Sequence, residues 1–360
     1  MKKQYLLTPG PAPVPEEVMK VMAKPIIHHR TPQYKDIVKT VNENLEKVFK
    51  TKQSVLTFAS SGTGAMEASV VNTLSGGDTA IVVRGGKFGE RFAEICASYG
   101  VRVVPIDIEW GTRPEPGMIA KALKENPETK AVFIQLCETS AATVYDVKSV
   151  GDVVKKTDAI LVVDAVSGLG ADEFKTDDWG VDIAIGGSQK GFMIPPGLSF
   201  SAVSEKARNL IKKSKLPRYY YDFRRYEKLV DKGDSPWTPA ITLIIGLAKA
   251  LSMIADEGLD NFIARHCRDA EFVRKSIKEM GLSLFSKFPS NAVTAIGVPD
   301  GVDAAGLISS LKEKGVTLAG GQAHLKGKIF RIAHMGAITR KDLEFALDKL
   351  KETLGEKKCR

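Results

Sequence analysis

The sequence predicts an α/β protein. A large domain built on a mostly parallel seven-stranded sheet sandwiched by helices should precede a small C-terminal α+β domain. Three observations carry this expectation. Short β-branched runs alternate with helix-length segments through the first two thirds of the chain. Most of these runs are apolar throughout rather than alternating, as strands covered on both faces must be. After Pro239 the texture changes to long helical stretches, then to a short strand and helix mixture.

Taken in order, the opening TPGPAPVPEEV is an extended, proline-stiffened arm leading into a helix. Strands are expected at 54–60, 79–84, 101–106, 130–136, 159–164, 181–186 and 198–204. The first six are separated by segments with helical patterning, such as GAMEASVVNTL and FGERFAEICASYG, which places them parallel with crossover helices. Only the stretch holding Lys190 joins the last two, so that link need not be parallel. From Ala240 to Gly281 the chain reads as one or two long helices broken near Gly258. Strands near 293–298 and 328–333 and helices near 302–314 and 340–353 complete the small domain. The expected division is an arm at 1–20 lying over the ligand site, a large ligand-binding domain at 21–256 and a small C-terminal domain at 257–360.

A chain of 360 residues, 43% apolar and 26% charged, has the balance of a soluble globular protein. No apolar run approaches the roughly 20 residues of a membrane span. The N-terminal MKKQYLLTPGPAPVPEE has too short an apolar stretch for a signal peptide, so a cytoplasmic location is expected. Cys96, Cys137, Cys267 and Cys359 are scattered, which fits reduced thiols; neither CxxC nor HExxH occurs, and no structural metal is expected. The net charge of +9 comes from mostly dispersed basic residues. Their densest cluster, 205–228, carries interleaved tyrosines and reads as a solvated helix followed by an interface loop. No nucleic-acid module pattern accompanies it, and no nucleic-acid or membrane partner is expected.

In open α/β sheets, ligands gather at the carboxyl ends of the strands. After the first strand, SSGTGAMEA opens a helix. Free amides there, with the hydroxyls of Ser61 and Thr63 and the close approach allowed by Gly62 and Gly64, would suit a phosphate; a plain N-cap turn is the bland alternative. The fifth strand ends in Asp164, a buried carboxylate that needs a partner: a structural donor or a ligand cation. Lys190 is the one charged residue after Asp182 in VDIAIGGSQKGFMIPPGLSF. A buried lysine has a lowered pKa and becomes a nucleophilic amine, whereas a lone lysine more often snorkels to water. Together, a phosphate cradle, a carboxylate and an amine following strands of one sheet match what pyridoxal phosphate requires.

The separated motifs TPGPAPVP, HHRTP, SSGTGAMEA, GGKFGERF, VVDAVSGLG, GGSQKG and FRIAHMG resemble the class V aminotransferases of the fold-type-I pyridoxal-phosphate enzymes, in particular the alanine/serine–glyoxylate (serine–pyruvate) branch. The resemblance implies that Lys190 holds the cofactor aldehyde and then serves as general base, and that Asp164 pairs with the pyridine nitrogen. It implies that Ser61, Gly62, Thr63 and Gln189 hold the phosphate, Phe88 stacks on the ring, Val166 presses on its other face and Ser140 lies near the ring hydroxyl or the substrate. Arg331 would clamp the substrate α-carboxylate and Gly10 would line the substrate pocket. Thr238 would reach the cofactor phosphate of the neighbouring subunit in a homodimer with shared sites. Two departures stand out. ETSAATV places Ala141 and Ala142 where the family often has threonine and glycine, and Ser235 replaces a frequent tyrosine, for which Tyr219, Tyr220 or Tyr221 could compensate. The implied reaction is a ping-pong transamination from alanine or serine to glyoxylate or pyruvate. An aspartate donor, for which Arg30 could serve, and 2-aminoethylphosphonate are the alternatives. A cysteine desulfurase is disfavoured because no cysteine sits in a Gly/Ser-rich loop. A non-enzymatic regulator or hydrogenase-associated protein is disfavoured by the complete constellation.

Overall fold

Each central strand of the large sheet buries both of its faces. Ile81 and Val83, Val132 and Ile134, and Leu161 and Val163 enter the core on one side; Ala80 and Val82, Ala131 and Phe133, and Ile160 and Val162 enter it on the other. This is why the runs are apolar without alternation. The computed structural model describes residues 4–358. From one edge the sheet runs Val55–Phe58, Ser199–Val203, Ile183–Gly187, Ile160–Asp164, Ala131–Gln135, Thr79–Arg84 and Arg102–Asp107. All seven expected strands are present. Ser199–Val203 is antiparallel to both neighbours and the remaining pairs are parallel.

Gly258 breaks the long helical stretch into Ile241–Glu257 and Leu259–Glu279 at a φ of 81°, a conformation that side chains other than glycine's rarely adopt. A third apolar core lies around a three-stranded antiparallel sheet, in which Ile329–Ala333 is flanked by Val293–Gly297 and Ala319–Gly320. The N-terminal arm is not a loose extension. Tyr5–Leu6 pairs in parallel with Val316–Thr317, and Leu7 exchanges backbone hydrogen bonds with Thr317 and Ala333. The sequence reading missed this ladder because two-residue strands leave no periodic signature.

The basic segment also holds more structure than expected. The helix Glu205–Ile211 is followed, after a loop, by a second helix, Phe223–Val230. Asp222 caps that helix by accepting from the Arg224 N–H at 3.2 Å, and it is ringed by Arg218, Arg224 and Arg225. No helix of the described residues is long and apolar enough to cross a membrane. Cys96, Cys137 and Cys267 are free thiols; Cys359 lies outside the described residues.

Candidate active site

Lys190 sits on the turn between the antiparallel strands Ile183–Gly187 and Ser199–Val203. Ser188 closes that turn: its Oγ donates to the Pro195 carbonyl at 2.9 Å and accepts from the Leu198 N–H at 3.1 Å. Lys190 is only 8% exposed, and its amine donates to the Pro9 carbonyl of the arm. Burial lowers its pKa to about 8, against the pull of Asp164 towards the charged form. The arm is pinned over the turn by the Ala12 N–H, which donates to the Gln189 carbonyl at 2.8 Å. Gly10 has a φ of 139°, and a Cβ there would lie 2.5 Å from Lys190 Nζ. Glycine is required on both counts.

Asp164 ends its strand beside this amine. Its Oδ1 accepts from the Val166 N–H at 2.9 Å. Burial raises its pKa to about 6, opposed by that N–H and by Lys190 and Arg91. Val166 then forms an apolar wall. A Cβ on Gly62 would meet it at 2.7 Å and one on Gly187 at 2.9 Å, the latter also 3.6 Å from Gln189 Oε1. Ser61 is the N-cap of the helix Gly62–Thr73, yet its side chain makes no capping bond. Thr63 Oγ1 accepts from Arg91 at 3.0 Å, and the Arg91 guanidinium lies 4.8 Å from the centre of the Phe88 ring. Gln189 Oε1 is buried without a protein partner. An uncapped helix N-terminus with hydroxyls, a buried carboxylate, apolar side chains and a buried amine fit the phosphate, ring and aldehyde of pyridoxal phosphate.

Phe88 and Ser140 are joined through a residue that the sequence reading passed over, Glu138. Its carboxylate is fully buried and accepts from Phe88 N–H, Gly89 N–H, Ser140 N–H and Ser140 Oγ. Burial raises its pKa to about 7, against the hydrogen bonds from Ser140 and Gly89; Asp164 adds to the rise. The only local clue was its place two residues before Ser140 in CETSAATV. Arg91 was missed as well, because a helical arginine reads as surface.

Arg331 lies on the central strand of the small sheet and is 5% exposed. Its Nε and one terminal nitrogen donate to the Gly320 carbonyl at 3.2 and 2.9 Å, and the other terminal nitrogen donates to the Thr139 carbonyl at 2.9 Å. A guanidinium has five N–H groups. Two are left, one on each terminal nitrogen, free to donate to a carboxylate.

The first departure is resolved by geometry. Ala142 adopts a φ of 55°, the left-handed conformation that glycine favours, and its carbonyl accepts from the Ser290 N–H at 3.0 Å. The chain makes a left-handed turn after Ser140 without glycine, at a cost of about 1 kcal/mol of backbone strain. At the second departure, Ser235 Oγ donates to the Trp237 carbonyl at 2.7 Å. Tyr221 of the same chain reaches the cradle instead: a Cβ on Gly64 would lie 2.6 Å from its hydroxyl. Thr238 stands apart from Lys190 and lines a cavity with Tyr34, Thr57 and Trp237. Arg30 is engaged by Asp234. Cys96 and Cys137 are buried and Cys267 lies on the Leu259–Glu279 helix.

A family model described as aminotransferase class-V matches residues 4–344. The chain is 40% identical to the soluble hydrogenase 42 kDa subunit of Anabaena cylindrica, over 98% of this chain and 94% of that one. It is 38% identical to serine–glyoxylate aminotransferase of Hyphomicrobium methylovorum, over 93% and 85% of the two chains. Among solved structures, an aspartate aminotransferase of subgroup IV from Thermus thermophilus superposes with a TM-score of 0.92 at 33% identity, covering 98% of this chain and 99% of the other.

Proposed function

The chain belongs to the class V aminotransferase family, a pyridoxal-phosphate-dependent transaminase by descent and fold, and we propose that it moves the amino group of alanine or serine to glyoxylate or pyruvate in two half-reactions. The observation that carries this reading is the convergence of the Lys190 amine and the Asp164 carboxylate, at the carboxyl edge of the large sheet, with the Arg331 guanidinium, which reaches in from the small sheet. The name of the hydrogenase-subunit relative points elsewhere, but this set of groups is what amino-group transfer needs.

Ser61, Gly62, Thr63 and Gln189 would hold the cofactor's phosphate, Phe88 and Val166 the faces of its ring, and Asp164 the ring nitrogen. When bound, pyridoxal phosphate supplies an aldehyde that condenses with amines and a ring that accepts the electron pair released at the α-carbon. Arg331 binds the substrate α-carboxylate through its remaining N–H groups. Lys190, whose amine burial holds below the ordinary lysine range, would take the α-proton and return it. The arm at Pro9 and Gly10 covers this amine and keeps water from it. Arg30, paired with Asp234, is not offered to a second substrate carboxylate within this chain, which favours small donors. Thr238 and Ser235 lie on a surface loop that would meet a second copy, giving a homodimer with shared sites in the cytoplasm. The arm at 1–20, large domain at 21–256 and small domain at 257–360 form the working division of the chain.

The test is a screen of single half-reactions. Each amino acid is mixed with the cofactor-loaded protein and the visible absorbance followed. Rapid bleaching by alanine or serine is expected; bleaching by aspartate alone would overturn the choice of donor. Borohydride reduction followed by peptide mapping should place the cofactor on Lys190.

A further inference from the structure

The helix Lys87–Ser98 carries Phe88, yet it has no cap of its own. Its N-cap is Gly86, and no side chain near it in sequence accepts its first N–H groups. The acceptors come from about fifty residues away. Ser140 Oγ takes the Lys87 N–H at 3.0 Å, and one oxygen of Glu138 takes both Phe88 N–H and Gly89 N–H at 3.1 Å. The other Glu138 oxygen takes Ser140 N–H at 3.1 Å and the Ser140 hydroxyl at 2.5 Å. All four donors point at one carboxylate, so neither a glutamine nor a protonated acid can serve all of them. Gly86 makes room for this contact. Its φ of 171° is open to any residue, but a Cβ there would lie 2.2 Å from Glu138 Cδ and 2.4 Å from Ser140 Oγ. The next residue, Thr139, offers its carbonyl to Arg331. The three residues 138–140 thus hold the start of the Phe88 helix on one side and the Arg331 guanidinium on the other.

We propose that Glu138 is a positioning residue for the reaction: its buried carboxyl group sets the Phe88 wall and the Ser140 hydroxyl against the cofactor ring and keeps them in register with the Arg331 clamp. This rests on the pyridoxal-phosphate reading of the site. Glu138 itself does not touch substrate; it acts by ordering the groups that do.

The experiment compares wild type with Glu138→Gln and Gly86→Ala. Glu138→Gln puts an NH₂ where an acceptor stood; Gly86→Ala leaves the carboxylate intact and displaces it by contact. Both should lose much of the visible circular dichroism of the bound cofactor, and kcat should fall about 10- to 100-fold, as displaced groups near the chemistry commonly cause. In the cofactor-free protein, amide hydrogen exchange over residues 86–92 should rise about tenfold. A wild-type dichroism band and kcat in either folded variant overturns the proposal, even if its melting temperature drops, because that pattern is support of the fold alone. If wild type takes up no pyridoxal phosphate, the cofactor reading fails by itself. Unchanged exchange at 86–92 in Glu138→Gln overturns the role of Glu138 independently. If Glu138→Gln does not fold, Gly86→Ala decides by the same readouts.

Discussion

Two buried polar clusters meet behind the Lys190 turn, and they are built on opposite rules. In the seam between the large and small sheets, the buried acidic and imidazole side chains have their partners. Asp172 accepts from Ser290 Oγ at 2.5 Å and from the Asn291 N–H at 2.7 Å. His266 is hydrogen-bonded to the Gly170 carbonyl at 2.9 Å through Nδ1 and accepts from the Gly336 N–H at 2.9 Å through Nε2. His334 is paired with the Asn291 carbonyl and with Thr294. In the cleft, Gln189 Oε1, the Gln135 amide and two N–H groups of Arg331 have no protein partner among the described residues. Buried polar groups are normally satisfied, and each exception calls for a reason. The seam uses hydrogen bonds to join two bodies of structure. The cleft leaves bonding capacity for a ligand and accepts the desolvation cost.

This contrast can be broken by substitution, since cleft changes should cost function and seam changes should cost stability. The largest effect belongs to Lys190→Ala, which should lower the half-reaction rate by at least about 10³-fold. Its melting temperature should hold or rise, because a buried cation is removed; a folded variant that transaminates at full rate would refute the assignment. Arg331→Lys should raise KM for the amino acid about 10- to 100-fold, since a point charge replaces a planar fork. Steady-state kinetics with unchanged KM would mean that the carboxylate binds elsewhere. In the seam, Asp172→Asn should cost about 2 kcal/mol in urea unfolding, because the Ser290 hydroxyl loses its carboxylate acceptor and the Asn291 N–H keeps only a neutral one, while kcat changes little. A variant of normal stability but low activity would erase the distinction between the clusters.

The smallest effect is a pH slope. Burial holds His266 neutral, with a folded-state pKa of about 4 against an ordinary 6.5. Between those values the unfolded chain binds the extra proton, so the stability from His266 is full above pH 6.5 and is lost as the pH falls towards 4. Asp172, raised to about 6 by burial, works in the opposite sense: its contribution is lost as the pH rises from about 4 to 6. Unfolding of wild type and His266→Gln at pH 7, 5.5 and 4.5 separates the two. The gap between the proteins should narrow on acidification; a constant gap would show that His266 does not titrate with folding.

The extent of legibility follows from range. Strand and helix positions were readable because burial on both faces writes an apolar run and amphipathic packing writes a helical period, both local patterns. The turn holding Lys190 was readable because one charge in an apolar stretch is conspicuous. Ala142 marks the boundary: alanine in place of glycine raises the question of the backbone beside Ser140, and only the tertiary structure shows a left-handed turn there. Glu138 was not readable, because its role exists only through donors at 87–89. The Tyr5–Leu6 ladder and the helix Phe223–Val230 were hidden for the same reason, in elements too short or too charged to advertise a period.

What the sequence determined by itself was the order of strands and helices, the family, and the residues that carry the chemistry, each recorded in neighbours a few positions apart. The tertiary structure alone decided which buried polar groups are satisfied and which remain free. The Lys190 amine meets a carbonyl 181 residues away and Arg331 one 192 residues away. Hydrogen-bond satisfaction depends on contacts of that range, and no local pattern encodes them.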